Sequence, residues 1–146
     1  MATPSQTLGL RARCMAMLIA LAAATPLVLA SGLTPAEAGV GTHRGLGLPA
    51  CGWQASMGLP CPSCGMTTSF AHAVRGDVLK AAMVQPAGLL ACVLTAGVVL
   101  GGLYAALTGA PLQRVVSAGL QPRIVWWGLV ILLIGWAVTM SRAVLA

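Results

Sequence analysis

Acidic side chains are almost missing from this sequence: Glu37 and Asp77 are the only two in 146 residues. Two carboxylates forty positions apart do not form the pair that general acid/base hydrolysis uses. No Ser-His-acid set stands at a suggestive spacing, and no glycine-rich phosphate loop follows a strand pattern. Aromatic residues amount to 4%, which leaves few rings for nucleic-acid bases to stack on. The eight Lys and Arg residues occur singly, so the net charge of +6 forms no patch or stripe and does not point to nucleic acid. Charged residues total 7%, against about 25% in a soluble domain. That is too little charge to coat a water-facing surface.

What is present is apolar: 58% of residues are hydrophobic and the mean hydropathy is +0.92. The composition is that of a multi-pass membrane protein whose first partner is the lipid bilayer. We expect an all-α fold of three transmembrane helices in a single domain, residues 1–146. The first span is expected over about 14–33, where Cys14 to Leu33 are uncharged after Arg11 and Arg13. Such a run crosses a hydrocarbon core of about 30 Å. A secretory signal with Ala36-Glu37-Ala38 as its cleavage site is the competing reading. The apolar run exceeds the usual signal core of roughly 7–15 residues, which favours a retained helix. The second span is expected over about 86–107, starting at Pro86, and the third over about 124–141, between Arg123 and Arg142.

The gaps differ in character. Residues 34–59 carry many Gly and Pro residues and read as loop. Residues 108–123, with Gly109, Pro111, Arg114, Gly119 and Pro122, read as a connector. Trp126 and Trp127 beside Arg123 suit an interfacial belt. Gly97 and Gly101, with Ala105 continuing the ridge, are the expected contact face for a second copy or a partner helix. Basic residues divide four against four across the three spans. Arg11 and Arg13 before the first one tip the expectation toward an N-terminus on the inner side of the membrane, with the cysteine loop outside.

Chemistry concentrates between Cys51 and Asp77. Cys61 and Cys64 form a C-x-x-C, the spacing that closes a short disulfide or grips a metal ion. A short interfacial helix is expected after it, with Thr68, His72 and Arg75 on one face, Gly76 as its C-terminal cap and Asp77 as the N-cap of the next run. The N-terminus of that helix would favour a thiolate at Cys64. Cys14 and Cys92 fall inside apolar spans, where small packing roles are expected. His43 reads as an ordinary loop residue.

Cys61-Pro-Ser-Cys-Gly-Met-Thr67, followed by Gly76-Asp77 and then Gln85-Pro86, resembles the bacterial membrane proteins of the Domain of Unknown Function 2752 family. On that resemblance Cys51 is the loop cysteine that precedes the motif. Pro62, Gly65, Thr67, Gly76, Asp77 and Pro86 are then its structural positions. Thr68 stands where the family usually has arginine, and Gln85 where it has asparagine. The resemblance implies a topology and a motif, without a reaction.

Three readings of the cysteines remain open on sequence grounds. In the first, Cys51, Cys61 and Cys64 bind one metal ion, zinc, with His72 a weaker fourth ligand because two helical turns, about 12 Å, separate it from Cys64. Alternatively, a disulfide holds the loop of a non-catalytic partner or scaffold. In the third, Cys61 and Cys64 act catalytically in a membrane thiol–disulfide oxidoreductase, although no thioredoxin-like βαβ pattern surrounds them.

Overall fold

The three uncharged runs fold as long helices. The structure, a computed structural model, describes residues 8–110 and 121–145. Six α-helices lie within these residues: α1 (Leu10–Gly32), α2 (Gly52–Met57), α3 (Met66–Ala73), α4 (Val78–Val84), α5 (Pro86–Thr108) and α6 (Pro122–Leu145). No strand occurs among the described residues. α1, α5 and α6 are each long and apolar enough to cross a membrane. Twenty-three residues, the length of α1 and of α5, rise about 34 Å at 1.5 Å each. Leu18, Leu100 and Trp126 on these helices are largely exposed, as suits side chains whose solvent is hydrocarbon.

α1 begins at Leu10 rather than near Cys14, so both arginines lie within it. The reason is a tertiary cap. Arg13 donates from Nε to the Ala106 carbonyl at 2.7 Å and from Nη2 to that of Leu107 at 2.6 Å. These carbonyls belong to the last turn of α5, where intrahelical donors run out. The Leu8 N–H adds a bond to the Gly109 carbonyl at 2.8 Å. α6 likewise extends past its uncharged core to include Arg123 and Arg142. Pro26 lies inside α1, which continues through it.

α1 and α5 pack side by side, and glycine sets their approach. A β-carbon at Gly102 would stand 3.0 Å from both the Ala16 carbonyl oxygen and the Ala20 β-carbon. Ala20, Cys92, Ala105 and Ala106 are buried. Cys14, two residues from Ala16 and so about 200° around the helix, is exposed. It does not share the packing role that Cys92 has. Among the described residues nothing lies within 4 Å of a β-carbon built at Gly97, so that part of the expected ridge is open to them.

Part of the 34–59 stretch is helical where a loop was expected. A 3-10 helix covers Thr42–Leu46 and α2 covers Gly52–Met57. Both are short because glycines in the left-handed region bound them: Gly41 and Gly47 flank the first, and Gly58 ends the second. Only glycine takes that conformation without strain. Gly109 ends α5 in the same way, with φ 73°. Pro111, Arg114 and Gly119 of the expected connector lie outside the described residues.

α3 lies across the N-terminal end of α5. A β-carbon at Gly88 would come within 2.8 Å of the Ser69 β-carbon. The wholly buried Ser69 hydroxyl lies 2.9 Å from the Ala81 carbonyl and 3.0 Å from that of Gln85. Arg75 reaches from just beyond α3 to the Ser31 carbonyl at the end of α1, 3.1 Å away. The cysteine segment is thereby held at one end of the bundle, over the end of α1 and the start of α5.

Candidate functional site

Cys61 sits between two prolines, which sets its backbone accounting. Pro60 and Pro62 have no N–H to donate, but both carbonyls are engaged. Trp136 of α6 donates from Nε1 to the Pro60 oxygen at 3.0 Å, and Gln85 donates from Nε2 to the Pro62 oxygen at 3.0 Å. The Cys61 N–H points at the Cys64 sulfur, 3.3 Å away. The Cys64 N–H closes a turn onto the Cys61 carbonyl at 3.0 Å. The turn thus closes on itself through one backbone bond, points one N–H at a sulfur, and is anchored through both proline carbonyls to Trp136 and Gln85.

Gly65 makes the next bend. Its φ of 90° is left-handed, and a β-carbon there would stand 3.1 Å from the Gly39 carbonyl oxygen. The bend lets the chain after α1 fold back over the cysteine turn. Thr68, wholly buried where the family resemblance places arginine, shares a hydrogen bond of 2.8 Å with Thr42. Thr42 in turn accepts from the Ala36 N–H at 2.9 Å.

Cys51, directly before α2, completes a group of three thiols. The sulfurs of Cys51, Cys61 and Cys64 all lie within 4.8 Å of one another, and Cys61 and Cys64 are 3.2 Å apart. Zinc–thiolate bonds of about 2.3 Å at tetrahedral angles need sulfurs about 3.8 Å apart. The observed spread brackets that value, so three cysteines in this arrangement could hold one metal ion. They face a cavity of about 290 Å³ whose lining also includes His43, Gln54 and Thr67.

The two sulfurs of the C-x-x-C are electrostatically unequal. Burial alone would raise the Cys61 pKa. Hydrogen bonds from the Ser63 hydroxyl, from Cys64 and Cys51 and from the Ser63 N–H outweigh it and bring the value down to about 7. Cys64 is pushed up to about 12, first by burial and then by thiol contacts that serve the Cys61 thiolate. The expected thiolate at Cys64 is thus displaced to Cys61. Cys64 is 8% exposed, and the loss of water there outweighs the partial positive charge at the start of an eight-residue helix.

The polar face expected on α3 splits among three partners. Thr68 goes to Thr42, and Arg75 goes to the end of α1. His72 Nδ1 stands 3.5 Å from Asp77 Oδ2, an ion-pair distance without hydrogen-bond alignment. Asp77 lies at the N-cap of α4 but makes no side-chain cap bond; its carboxylate also stands 3.9 Å from Lys80 Nζ. Among the described residues the three-sulfur group includes neither histidine. Gly76 has a φ of 85°, and Pro86 opens α5.

Gln85, Gly88, Gly135 and Trp136 make contacts that no expectation from the sequence covers. Gln85 is wholly buried, and a β-carbon at Gly135 of α6 would collide with its carboxamide oxygen. The proline after Gln85 signalled the extended backbone there (φ −156°, ψ 100°). Nothing local signalled its partners.

Fold and site together define a small all-α membrane protein with three long apolar helices and a three-cysteine centre at one end of the bundle. Residues 49–99, about a third of the chain, match the family described as "Protein of unknown function (DUF2752)". The match covers Cys51, the whole C-P-S-C-G-M-T motif, Gly76-Asp77 and Gln85-Pro86. No curated protein and no solved structure matches the chain.

Proposed function

We propose that this chain is a non-catalytic multi-pass membrane protein, a partner or scaffold, whose cysteine loop is held by one zinc ion on Cys51, Cys61 and Cys64. The convergence of three sulfurs within 4.8 Å carries this reading. A disulfide would employ two of them and leave the third as a free thiol, whereas one ion employs all three. The loop faces outward, with the N-terminus inside a bacterial plasma membrane. The open side of α5 at Gly97 receives a second copy or a partner helix. Zinc binding requires deprotonated thiols, so it weakens as pH falls. The test is metal content per chain in detergent, together with thiols counted by an impermeant alkylating reagent before and after reduction. One zinc per chain, lost in Cys61→Ser, supports the reading. No metal, with two thiols appearing only on reduction, replaces it by a disulfide-held loop.

A second reading rests on a separate observation, the inequality of two sulfurs 3.2 Å apart. In a thiol–disulfide oxidoreductase the Cys61 thiolate attacks a partner's disulfide, forming a mixed disulfide and releasing one partner thiolate, which takes up a proton. Cys64 then loses its proton and displaces the second partner thiolate, which is protonated in turn. The partner is reduced by two electrons, and the Cys61–Cys64 disulfide is the oxidised product. A Cys64→Ser protein that traps a mixed disulfide through Cys61 favours this reading, and its absence favours the scaffold.

A further inference from the structure

Three thiolates leave one position of a tetrahedral ion to be filled, and the cavity in front of them contains a candidate outside the cysteine motif. His43, from the 3-10 helix, lines the same cavity as Cys51, Cys61 and Cys64. Its Nε2 lies 3.1 Å from the Pro49 carbonyl oxygen. A carbonyl can only accept, so Nε2 carries the proton, and in the neutral ring Nδ1 is left with a free lone pair. A metal-binding histidine shows this pattern, in which one nitrogen donates to a backbone carbonyl and the other is free to ligate. Pro49 stands two residues before Cys51, so the bond that fixes the ring also ties it to a cysteine-bearing segment.

We propose that His43 Nδ1 is the fourth ligand, closing a Cys3His zinc site with Cys51, Cys61 and Cys64. The proposal rests on the metal-binding reading above and extends it from an open three-sulfur site to a closed one. His43 stands outside the 4.8 Å group of sulfurs, so closure draws the ring across the cavity toward the ion. His72 is the alternative histidine, and its contact with Asp77 turns it to other work. A closed site excludes bound water, which makes the centre structural rather than hydrolytic. It also links the chain after α1 to the cysteine turn through the metal.

The test uses the full chain in detergent, loaded with zinc and compared with its His43→Ala and His72→Ala variants. Zinc K-edge absorption of the unaltered protein should show three sulfurs at about 2.3 Å and one nitrogen at about 2.0 Å, with the outer-shell scattering of an imidazole ring. His43→Ala should lose the imidazole signal and bind zinc more weakly. The roughly 10–100-fold seen on removing a second-shell partner is a lower limit for the loss. His72→Ala should leave both readouts unchanged. Three sulfurs with a water, or an imidazole signal lost in His72→Ala, overturns the His43 assignment and leaves the metal-binding reading intact. If the unaltered protein takes up no zinc, both fail. If His43→Ala misfolds, the spectrum of His72→Ala still decides: with two histidines in the chain, an imidazole signal kept there assigns His43, and one lost there overturns it.

Discussion

Gln85 and Gly135 meet side chain to backbone: the carboxamide of the buried glutamine occupies the space that a β-carbon at position 135 would need. The same carboxamide donates from Nε2 to the Pro62 carbonyl at 3.0 Å. One side chain thus joins the cysteine turn to α6. Its Oε1 has no hydrogen-bond partner among the described residues and lies against Gly135, whose α-carbon C–H is a weak donor.

Gly135→Ala should therefore destabilise the protein by about 1–3 kcal/mol, the usual cost of overpacking a filled site. The asparagine that the family resemblance places at position 85 is one methylene shorter. Gln85→Asn alone should lose the bond to Pro62, at about 1 kcal/mol. Combined with Gly135→Ala it should cost less than the sum, with a coupling of at least about 0.5 kcal/mol. Thermal unfolding of the four proteins in one detergent checks this. Strict additivity would show that the two positions do not compete for space.

The three spans were legible because each leaves an uncharged run of membrane-crossing length, a signal that needs no knowledge of neighbours. The short interfacial helix and the C-x-x-C were legible for the same local reason. The place of His43 was not. His72 stood on the helix after the motif and drew attention by spacing, while His43 reaches the cysteine cavity through a bend at Gly39 and Gly41. Both take left-handed φ values, 74° and 93°. A sequence shows that glycines are present there, but not in which direction the chain turns. Gln85 and Gly135 lie fifty positions apart, and their contact is a matter of how α5 and α6 are set side by side.

Glycine on α5 has two separable roles. Gly102→Leu drives a side chain into the Ala16 carbonyl and Ala20 at 3.0 Å, where backbone atoms cannot move aside. It should separate α1 from α5 and lower the unfolding temperature markedly. Gly97→Leu meets open space and should leave the isolated chain's stability within about 0.5 kcal/mol. If the Gly97 side receives another helix, the same change should reduce cross-linking between chains in the membrane. Undiminished cross-linking in Gly97→Leu would remove that contact face.

Arg13 tests whether the far end of the bundle is held by its cap. Both of its bonds go to the terminal carbonyls of α5, where positive charge is also favoured by the helix dipole. Arg13→Ala should cost about 1 kcal/mol. Arg13→Lys should recover only part of it, because an ammonium cannot span two carbonyls in the geometry of a guanidinium. Hydrogen exchange at the Arg13–Leu107 end should rise in Arg13→Ala, while the cysteine end, held by Trp136 and Gln85, should keep its protection.

The reactivity of Cys61 should follow pH in a direction fixed by its surroundings. The thiolate is the nucleophile, and the hydrogen bonds on Cys61 bring its pKa down to about 7. In the reduced, metal-free protein, alkylation of Cys61 by iodoacetamide should therefore rise from pH 5, pass its midpoint near 7 and level off above about 8. Cys64, pushed up to about 12, should stay protonated and slow across the same range. Ser63→Ala removes the hydroxyl 3.2 Å from the Cys61 sulfur, so its midpoint should move upward. Peptide-resolved mass spectrometry separates the two cysteines. A Cys61 midpoint above about 8, near an unperturbed thiol, would show that the Ser63 and Cys64 contacts do not act on a thiolate. Adding zinc should slow Cys61 alkylation if the sulfurs ligate an ion, because a thiolate that shares its charge with the metal is a weaker nucleophile than a free one.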